Sequence, residues 1–406
     1  MTPGARLAAA AEILGEIFAR KAAADRMIAA WGKAHRFAGS KDRAAIAERV
    51  YAVLRRRNEC AFTMYGESPR ALVLGSLAIV DGLTVADVEA LATDGAHALG
   101  PLTGDERNAL ETPRRTTDPW IALNYPQWLH ERLTDAFGEN IEREMRALNA
   151  RAPLDLRVNT LKADRAAVIA ELNEGGLTAS PRPTPTAIRL ADANAKIAAT
   201  PAYREGRVEI QDESSQRAVE FTAAKYGDTV IDLAAGAGGK ALALAASIAN
   251  KGRVLACDVE PARLRNMEPR VARAGATCIE IVGDPYGGAV AAAAREKCDL
   301  ILIDAPCSGT GTWRRNPEAK WTLDEARLTT YRAAQSKLLD RAAELARPEG
   351  RIAYAVCSIL KAEADDQIRA FTGRHPGWNP TATLTLTPAR DDTDGFFIAI
   401  LDRARR

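Results

Sequence analysis

Two cysteines each follow an apolar run at a turn, a common place for a reactive thiol. Cys307 lies in the segment DAPCSGTG after the run LILI, and Cys357 follows the run IAYAV. Because the carboxyl ends of neighbouring parallel strands meet at one edge of a sheet, we expect Cys307, Cys357 and Asp304 to converge on one crevice. The other cysteines are interpreted as small apolar packing residues: Cys60, Cys257, Cys278 and Cys298.

A pair of thiols beside a carboxyl group suits covalent chemistry on a pyrimidine ring. Addition of a thiolate to C6 makes C5 nucleophilic towards a methyl donor. Asp304, as an acid near N3, would stabilise the negative charge on the base, and the second cysteine would help to release the product. Cys357 also precedes a predicted helix, whose N-terminal amides would favour its thiolate. The pair therefore indicates methyl transfer through a covalent cysteine adduct.

A glycine-rich turn, AAGAGGK, links the run VIDL to an alanine- and leucine-rich helix. Glycines let backbone amides approach a ligand closely, and Asp258, 20 residues after Gly238, is placed to bind ribose hydroxyls. Alone, this pattern fits S-adenosylmethionine (SAM), a nicotinamide dinucleotide or a structural turn, although its spacing departs from G-x-G-x-x-G. The candidate cofactor-binding residues are Ala234, Ala235, Gly236, Ala237, Gly238, Gly239, Lys240, Asp258, Asp284 and Asp304.

The elements that must position these residues begin at about residue 212. Five apolar runs alternate with helices, which predicts an α/β fold with a mostly parallel sheet buried on both faces. A final antiparallel hairpin without an intervening helix is predicted between Thr383 and Leu401. A parallel sheet that ends in such a hairpin is typical of the Rossmann-like Class I SAM methyltransferases.

The preceding residues divide by pattern into three regions. Residues 1–115 show helical periodicity and predict an all-α domain, with Ser40 as the N-cap of one helix. Residues 116–150 predict a linker and one connecting helix near 126–149. Residues 151–211 predict a small α+β module, and 212–406 the catalytic domain.

Composition narrows the class of protein. A chain of 406 residues is long enough for two or three domains, and a net charge of +2 leaves any RNA contact to local basic patches. The six cysteines lack the spacing of a disulfide framework, and only four histidines are present, so no metal is expected. No secretory signal or membrane-spanning run is recognised, which predicts a cytoplasmic protein without membrane contact.

Several motifs resemble those of the Nop/Sun family of RNA cytosine-C5 methyltransferases, over about residues 120–403. DAPCSGTG, with the following RRNPE and KW, resembles the fourth motif, and VCS with Glu363 resembles the sixth. The resemblance implies that Cys357 is the nucleophile, that Cys307 acts in product release and that SAM is the cofactor. One departure is Ala237, where the family commonly has proline, so a looser cofactor turn is expected.

A looser resemblance covers the first region. SKDR followed by VYAVLR is similar to the NusB-like RNA-binding domain of RsmB-type enzymes, which modify bacterial small-subunit rRNA. It implies 16S rRNA as the partner, and a monomer is expected. Arg314, Arg315 and Lys320 are the candidate RNA contacts, since they are expected to flank the crevice. Trp313 and Trp321 are interpreted equally as base-stacking or core residues.

Three alternatives stay open. The same chemistry could act on tRNA or 23S rRNA, although the NusB-like pattern argues against this. A nicotinamide oxidoreductase would leave the paired cysteines unexplained. A catalytically retired RNA-binding protein of ribosome assembly would not need both cysteines and Asp304.

Overall fold

A computed structural model describes residues 1–112, 114, 116–294 and 298–404. The chain forms two compact units: residues 1–151 with 312–324, and residues 152–311 with those from 325 onward. The region predicted as a linker, 116–150, therefore packs within the first unit. So does Thr312–Asp324, which the sequence had assigned to the catalytic domain. The predicted limits at 115 and 406 lie outside the described residues.

The first unit is built from helices around an apolar core. Leu7, Ile13, Leu14 and Ile17 recur at helical spacing and are buried in that core. The helices are Pro3–Arg20, Ala24–Ala34, Ser40–Arg55, Arg57–Met64, Pro69–Ile79, Val85–Ala92, Gly104–Glu111, Pro119–Ala122, His130–Phe137, Ile141–Asn149 and Ala319–Thr322.

Two predictions for this unit are corrected. Ser40 is the first residue of its helix rather than the N-cap, which is Gly39, and the Gly39 amide donates to Asp42 at 3.1 Å. The single helix predicted near 126–149 is two helices, because Gly138 takes a φ of 54° and ends the first of them. A helical apolar pattern continues across the break, so periodicity alone did not reveal it.

The second unit opens with a small antiparallel sheet. Its strands are β1 (Leu154–Val158), β2 (Ala179–Pro181), β3 (Ala187–Leu190) and β4 (Val208–Ile210), in the order β2-β3-β1-β4. Helices Arg165–Glu174 and Pro201–Arg204 complete a β-α-β-β-α-β arrangement.

A larger, seven-stranded sheet follows. Its strands are β5 (Thr229–Asp232), β6 (Arg253–Cys257), β7 (Ile279–Gly283), β8 (Cys298–Asp304), β9 (Ala346–Val356), β10 (Trp378–Leu386) and β11 (Phe396–Arg403), in the order β10-β11-β9-β8-β5-β6-β7. The pairs from β9 to β7 are parallel, as predicted. Its helices are Glu213–Phe221, Gly239–Ser247, Pro261–Ala274, Gly288–Ala294, Glu325–Leu345, Asp365–Arg374 and Pro388–Asp391.

Both faces of this sheet are buried. Ile231 and Ile301 join one apolar cluster, whereas their neighbours Val230 and Leu300 join a second cluster on the opposite face. Because successive side chains of a strand alternate between faces, continuous apolar runs are required here.

The terminal hairpin differs from its prediction in one respect. β10 and β11 pair antiparallel, but the helical turn Pro388–Asp391 lies between them. Pro388 has a φ suited to the first position of a helix, and Asp391 accepts a hydrogen bond from the Thr387 amide at 2.8 Å. Within the described ranges, no helix is both long and apolar enough to cross a membrane.

Candidate active site

A cavity of about 890 Å³ opens at the carboxyl edge of the large sheet, within the second unit. The strand order reverses between β5 and β8, and such a reversal leaves a crevice for ligands. The residues that line the cavity include Ala234, Ala235, Gly236, Ala237, Gly239, Lys240, Asp258, Tyr286, Asp304 and Pro306. Most of the predicted cofactor-binding residues are therefore brought together.

The glycines of the turn after β5 have different roles. Gly236 has a φ of 55°, lines the cavity, and a Cβ built on it would meet nothing within 4 Å. Gly238 has a φ of 88°, and a Cβ there would lie 2.5 Å from Cγ of Met267. Gly236 therefore leaves room in the cavity, whereas Gly238 lets the turn pack against a helix.

Ala237, which stands where the family has proline, is held by a side chain. The Arg270 guanidinium donates to the Ala237 carbonyl at 2.6 Å and is itself paired with Glu209 at 2.8 Å. The hydrogen bond from Arg270 holds the turn in place at Ala237, where the family has a proline with a restricted φ.

Asp258 and Asp284, which directly follow the next two strands after the glycine-rich turn, differ in position. Asp258 is 4% exposed, lines the cavity, and accepts hydrogen bonds from the amides of Gly236 at 2.9 Å and Glu260 at 2.8 Å. Asp284 is exposed and accepts from the Tyr286 amide at 3.0 Å. Asp284 is not among the lining residues, but the turn that it caps carries Tyr286, which does line the cavity.

The two predicted reactive cysteines are in direct contact. β8 and β9 are parallel neighbours, and the Sγ atoms of Cys307 and Cys357 lie 3.4 Å apart. The hydrogen bond to Cys357, together with burial, raises the pKa of Cys307 well above its usual value. Cys307 therefore keeps its proton and can donate it to the Cys357 sulfur. Neither cysteine lines the cavity itself, which ends at Asp304 and Pro306 on this side.

The remaining cysteines are buried packing residues, as predicted. Burial raises the pKa of Cys60, Cys257 and Cys298 to about 12, which keeps their thiols protonated and unreactive. Cys278 is 9% exposed, and burial raises its pKa as well.

Lys240 connects the cavity with the cysteines. Its Nζ lies 2.7 Å from Asp304, and both residues line the cavity. Burial lowers the pKa of Lys240, but the Asp304 carboxylate and an ionised Cys357 raise it, and the net direction is upward. The lysine is thus a fixed positive charge that attracts both groups.

That charge replaces the helix end expected beside Cys357. The chain continues from Cys357 into a loop and a short 3₁₀ turn, Lys361–Glu363, and the next helix starts only at Asp365. Cys357 precedes a helix, as predicted, but that helix begins eight residues later and does not follow Cys357 directly. The positive charge near its sulfur comes from Lys240, 117 positions earlier in sequence, which local pattern could not indicate.

Glu363 joins the two cysteine-bearing loops from inside the protein. It is fully buried, and its carboxylate accepts hydrogen bonds from the Ser308 amide at 2.9 Å, the Ser358 hydroxyl at 2.6 Å and the Gln335 amide group at 2.9 Å. The Ser308 hydroxyl donates to it as well. Ser308 and Ser358 directly follow Cys307 and Cys357, so one carboxylate fixes both loops.

We expect Glu363→Gln to slow turnover while leaving the affinity for SAM unchanged. The amide keeps the shape of the side chain but removes one acceptor, and each unsatisfied buried donor costs about 1–3 kcal/mol. Steady-state kinetics measures turnover, equilibrium dialysis with SAM measures the affinity, and unfolding in urea measures the loss of stability. Glu213→Gln is the matched control, because Glu213 is equally buried but bonds Arg182 and Thr184. Equal turnover in both variants would contradict a positioning role for Glu363.

Asp232, at the end of β5, was not singled out from the sequence. It is fully buried, its Oδ2 has no hydrogen-bond partner among the described residues, and Oδ1 accepts from the Ala234 amide at 3.4 Å. Burial and the nearby Asp304 raise the pKa of Asp232 to about 7. The acidic residue directly before the glycine-rich turn was the available signal.

Asp232→Asn is expected to stabilise the protein more at pH 8 than at pH 5. The folded state keeps the Asp232 proton up to about pH 7, whereas the unfolded chain loses it near a pKa of about 3.9. The wild-type free energy of unfolding therefore falls as the pH rises through this window, and asparagine removes that loss. Urea unfolding at the two pH values measures the difference, and an equal gain at both would refute it.

The candidate RNA contacts lie in the first unit. Arg314 is 5% exposed and Lys320 is fully buried, while Arg315 is half-buried. Burial and repulsion from Arg55 and Arg56 lower the pKa of Lys320 well below its usual value. Arg314 and Lys320, which were predicted to contact RNA beside the crevice, therefore lie in the interior of the first unit.

The two tryptophans beside those residues, Trp313 and Trp321, differ in burial. Trp313 is fully buried, which settles it as a core residue. Trp321 is half-buried, and its indole N–H donates to the Leu54 carbonyl at 2.6 Å.

The parallel sheet, the glycine-rich turn and the antiparallel hairpin define a Class I SAM methyltransferase fold. Residues 220–402 match the family model of the 16S rRNA methyltransferases RsmB/F, and residues 125–196 match that of their ferredoxin-like domain. The chain belongs to this family.

Curated relatives agree with that assignment. Ribosomal RNA small subunit methyltransferase B of Citrobacter koseri is 35% identical over 287 residues, and that of Cronobacter sakazakii is 34% identical over 285. Each match covers 68% of this chain and spans 66% of the relative's length.

Solved structures show the same architecture. The crystal structure of PH0851 superposes with a TM-score of 0.78 at 27% identity, covering 99% of both chains. A methyltransferase homologue from Pyrococcus horikoshii gives a TM-score of 0.61 at 26% identity, over 70% of this chain and 98% of its own.

Proposed function

We propose that this protein is a SAM-dependent methyltransferase that forms 5-methylcytosine in RNA, with small-subunit rRNA as its substrate. The observation that carries the proposal is the 3.4 Å contact between the Cys307 and Cys357 sulfurs, beside the Lys240–Asp304 pair. A cofactor cavity alone would suit many methyltransferases, whereas two adjoining thiols suit covalent activation of a pyrimidine.

The cavity fits SAM on two observations. Gly236 leaves open space where any other side chain would intrude, and the Asp258 carboxylate lies on the wall at the end of the next strand. When bound, SAM supplies an electrophilic methyl group. Lys240 and Asp304, at the cysteine side of the cavity, orient the base beside it.

Cys357 acts as the nucleophile in this proposal. Its thiolate forms a bond to C6 of cytosine, and the electrons of the C5–C6 double bond become available at C5. Negative charge develops towards N3 of the base. Asp304 is the residue that contacts N3 in this proposal, and the Lys240 ammonium, which donates to the Asp304 carboxylate at 2.7 Å, supplies positive charge beside the base.

Cys307 acts when the product leaves. After C5 is methylated, its proton passes to a base, the C5–C6 double bond re-forms and the bond from C6 to the Cys357 sulfur breaks. The raised pKa of Cys307 keeps it protonated, so its thiol can donate to the departing sulfur.

Bisulfite sequencing of total RNA from cells with and without the gene tests the substrate. We expect one cytosine of small-subunit rRNA to lose its protection when the gene is deleted. Loss of protection in tRNA or 23S rRNA would retain the chemistry and reject the proposed substrate. Unchanged protection throughout would reject the proposed activity.

A further inference from the structure

The first unit contains an aromatic groove that lies outside the cavity described above. Its volume is about 580 Å³, and Phe62, Tyr65, Trp120, Trp128 and Trp321 line it. The chain has only six tryptophans, so half of them are gathered in this one groove. Tyr65 is 61% exposed, so part of its ring surface is accessible to a ligand.

Cations are stacked on the walls of this aromatic groove. The Arg114 guanidinium lies 4.1 Å from the ring centre of Phe62 and 4.4 Å from that of Tyr65. Arg132 lies 5.7 Å from the Trp128 ring. Arginine on an aromatic face favours an anionic ligand that also presents flat π surfaces.

The acidic side chain of the groove is already neutralised. Glu67 is the one acidic residue among the described lining residues, and it accepts a hydrogen bond from Arg57 at 2.8 Å. Arg57 also stacks on Trp321 at 5.0 Å. The groove therefore combines π faces with arginine side chains stacked on them, which matches nucleic acid better than an apolar peptide.

We propose that the aromatic groove binds unpaired nucleotides of the RNA substrate, with bases stacked on Tyr65 and Trp128 and phosphates near Arg114. Single-stranded nucleic acids are bound in this way, by aromatic platforms within a basic surface. The inference rests on the proposed function in that it takes RNA as the substrate. It adds a second RNA-binding site, distinct from the site at which the reacting base is methylated.

Two leucine variants remove the stacking faces and retain apolar bulk. We expect Tyr65→Leu and Trp128→Leu each to weaken binding of a fluorescein-labelled single-stranded oligouridylate roughly tenfold. Tyr65→Phe keeps the ring and should bind as the wild type does. Tyr226→Leu is the matched control, because Tyr226 is 68% exposed and lies 5.5 Å from Lys251 in the second unit. Unchanged thermal unfolding excludes misfolding as the cause.

Cross-linking locates the bound strand directly. An oligonucleotide containing 4-thiouridine should label peptides from residues 57–67 or 119–128 on irradiation. Labelling confined to the second unit, or unchanged affinity in both leucine variants, would overturn the proposal. Equal binding of a duplex would also overturn it, because paired bases offer no free face to stack.

Methyl transfer measured in parallel separates this proposal from the proposed function. Wild-type protein that binds the oligonucleotide in the groove but methylates no RNA would retain the groove and reject the activity. Wild-type protein that methylates RNA, with an unchanged KM in the leucine variants, would retain the activity and reject the groove. The expected result is a raised KM for RNA at unchanged kcat.

Discussion

Cys357→Ala is expected to abolish methyl transfer to RNA, with a loss of at least roughly 10⁴-fold in kcat. Without the thiolate, C6 of the base receives no covalent partner, and C5 stays a poor nucleophile. Cofactor binding should be unchanged, because Cys357 does not line the cavity. Transfer of tritiated methyl groups from SAM measures the first effect, and equilibrium dialysis with SAM measures the second.

The control for this loss is another cysteine of the same unit. Cys278→Ala removes a thiol that is 9% exposed and has no contact with the cavity or the cysteine pair, so activity should persist. RNA containing 5-fluorocytidine adds a direct assay, since fluorine at C5 cannot leave as a proton and the adduct persists. Wild-type protein should form that adduct and Cys357→Ala should not. Full turnover by Cys357→Ala would refute its role as the nucleophile.

Cys307→Ala is expected to leave the attack intact and to trap the protein on its RNA. The variant lacks the thiol 3.4 Å from the Cys357 sulfur, so no donor stabilises that sulfur as its bond to C6 breaks. Turnover should stop after about one event per protein molecule. A protein–RNA band that survives denaturing electrophoresis measures the trapped adduct.

Two further variants test the origin of that band. Cys307→Ser restores a hydrogen-bond donor and should recover part of the turnover, with a weaker band. The double variant Cys307→Ala with Cys357→Ala should give no band, because the attacking sulfur is absent. A band in the double variant would assign the covalent bond to another residue. Clean multiple turnover by Cys307→Ala would reject its role in release.

The structure explains why the two sulfurs can act together. They are 50 positions apart in sequence, and the pairing of β8 with β9 brings their loops side by side. Glu363 then fixes both loops through Ser308 and Ser358. In the sequence Glu363 is recognisable only as part of a motif, because the groups that it bonds are brought to it by folding.

Local patterns predicted much of the second unit. Apolar runs predicted the parallel strands, and the glycine-rich turn and the two cysteines predicted the crevice at their carboxyl edge. These features depend on neighbouring residues and on the periodicity of strands and helices, which a single sequence displays directly. A break between two helices was not predicted where the apolar periodicity continues across it, as at Gly138.

The chemical groups of this protein, and the order along the chain of the strands that present them, can be predicted from local sequence. The charges around those groups and their burial become known only from the fold. Lys240, rather than a helix end, is the cation near Cys357, and Lys320 is buried in the first unit instead of exposed. The reason is physical: pKa values and accessibility depend on side chains brought together by long-range packing, which periodicity does not encode.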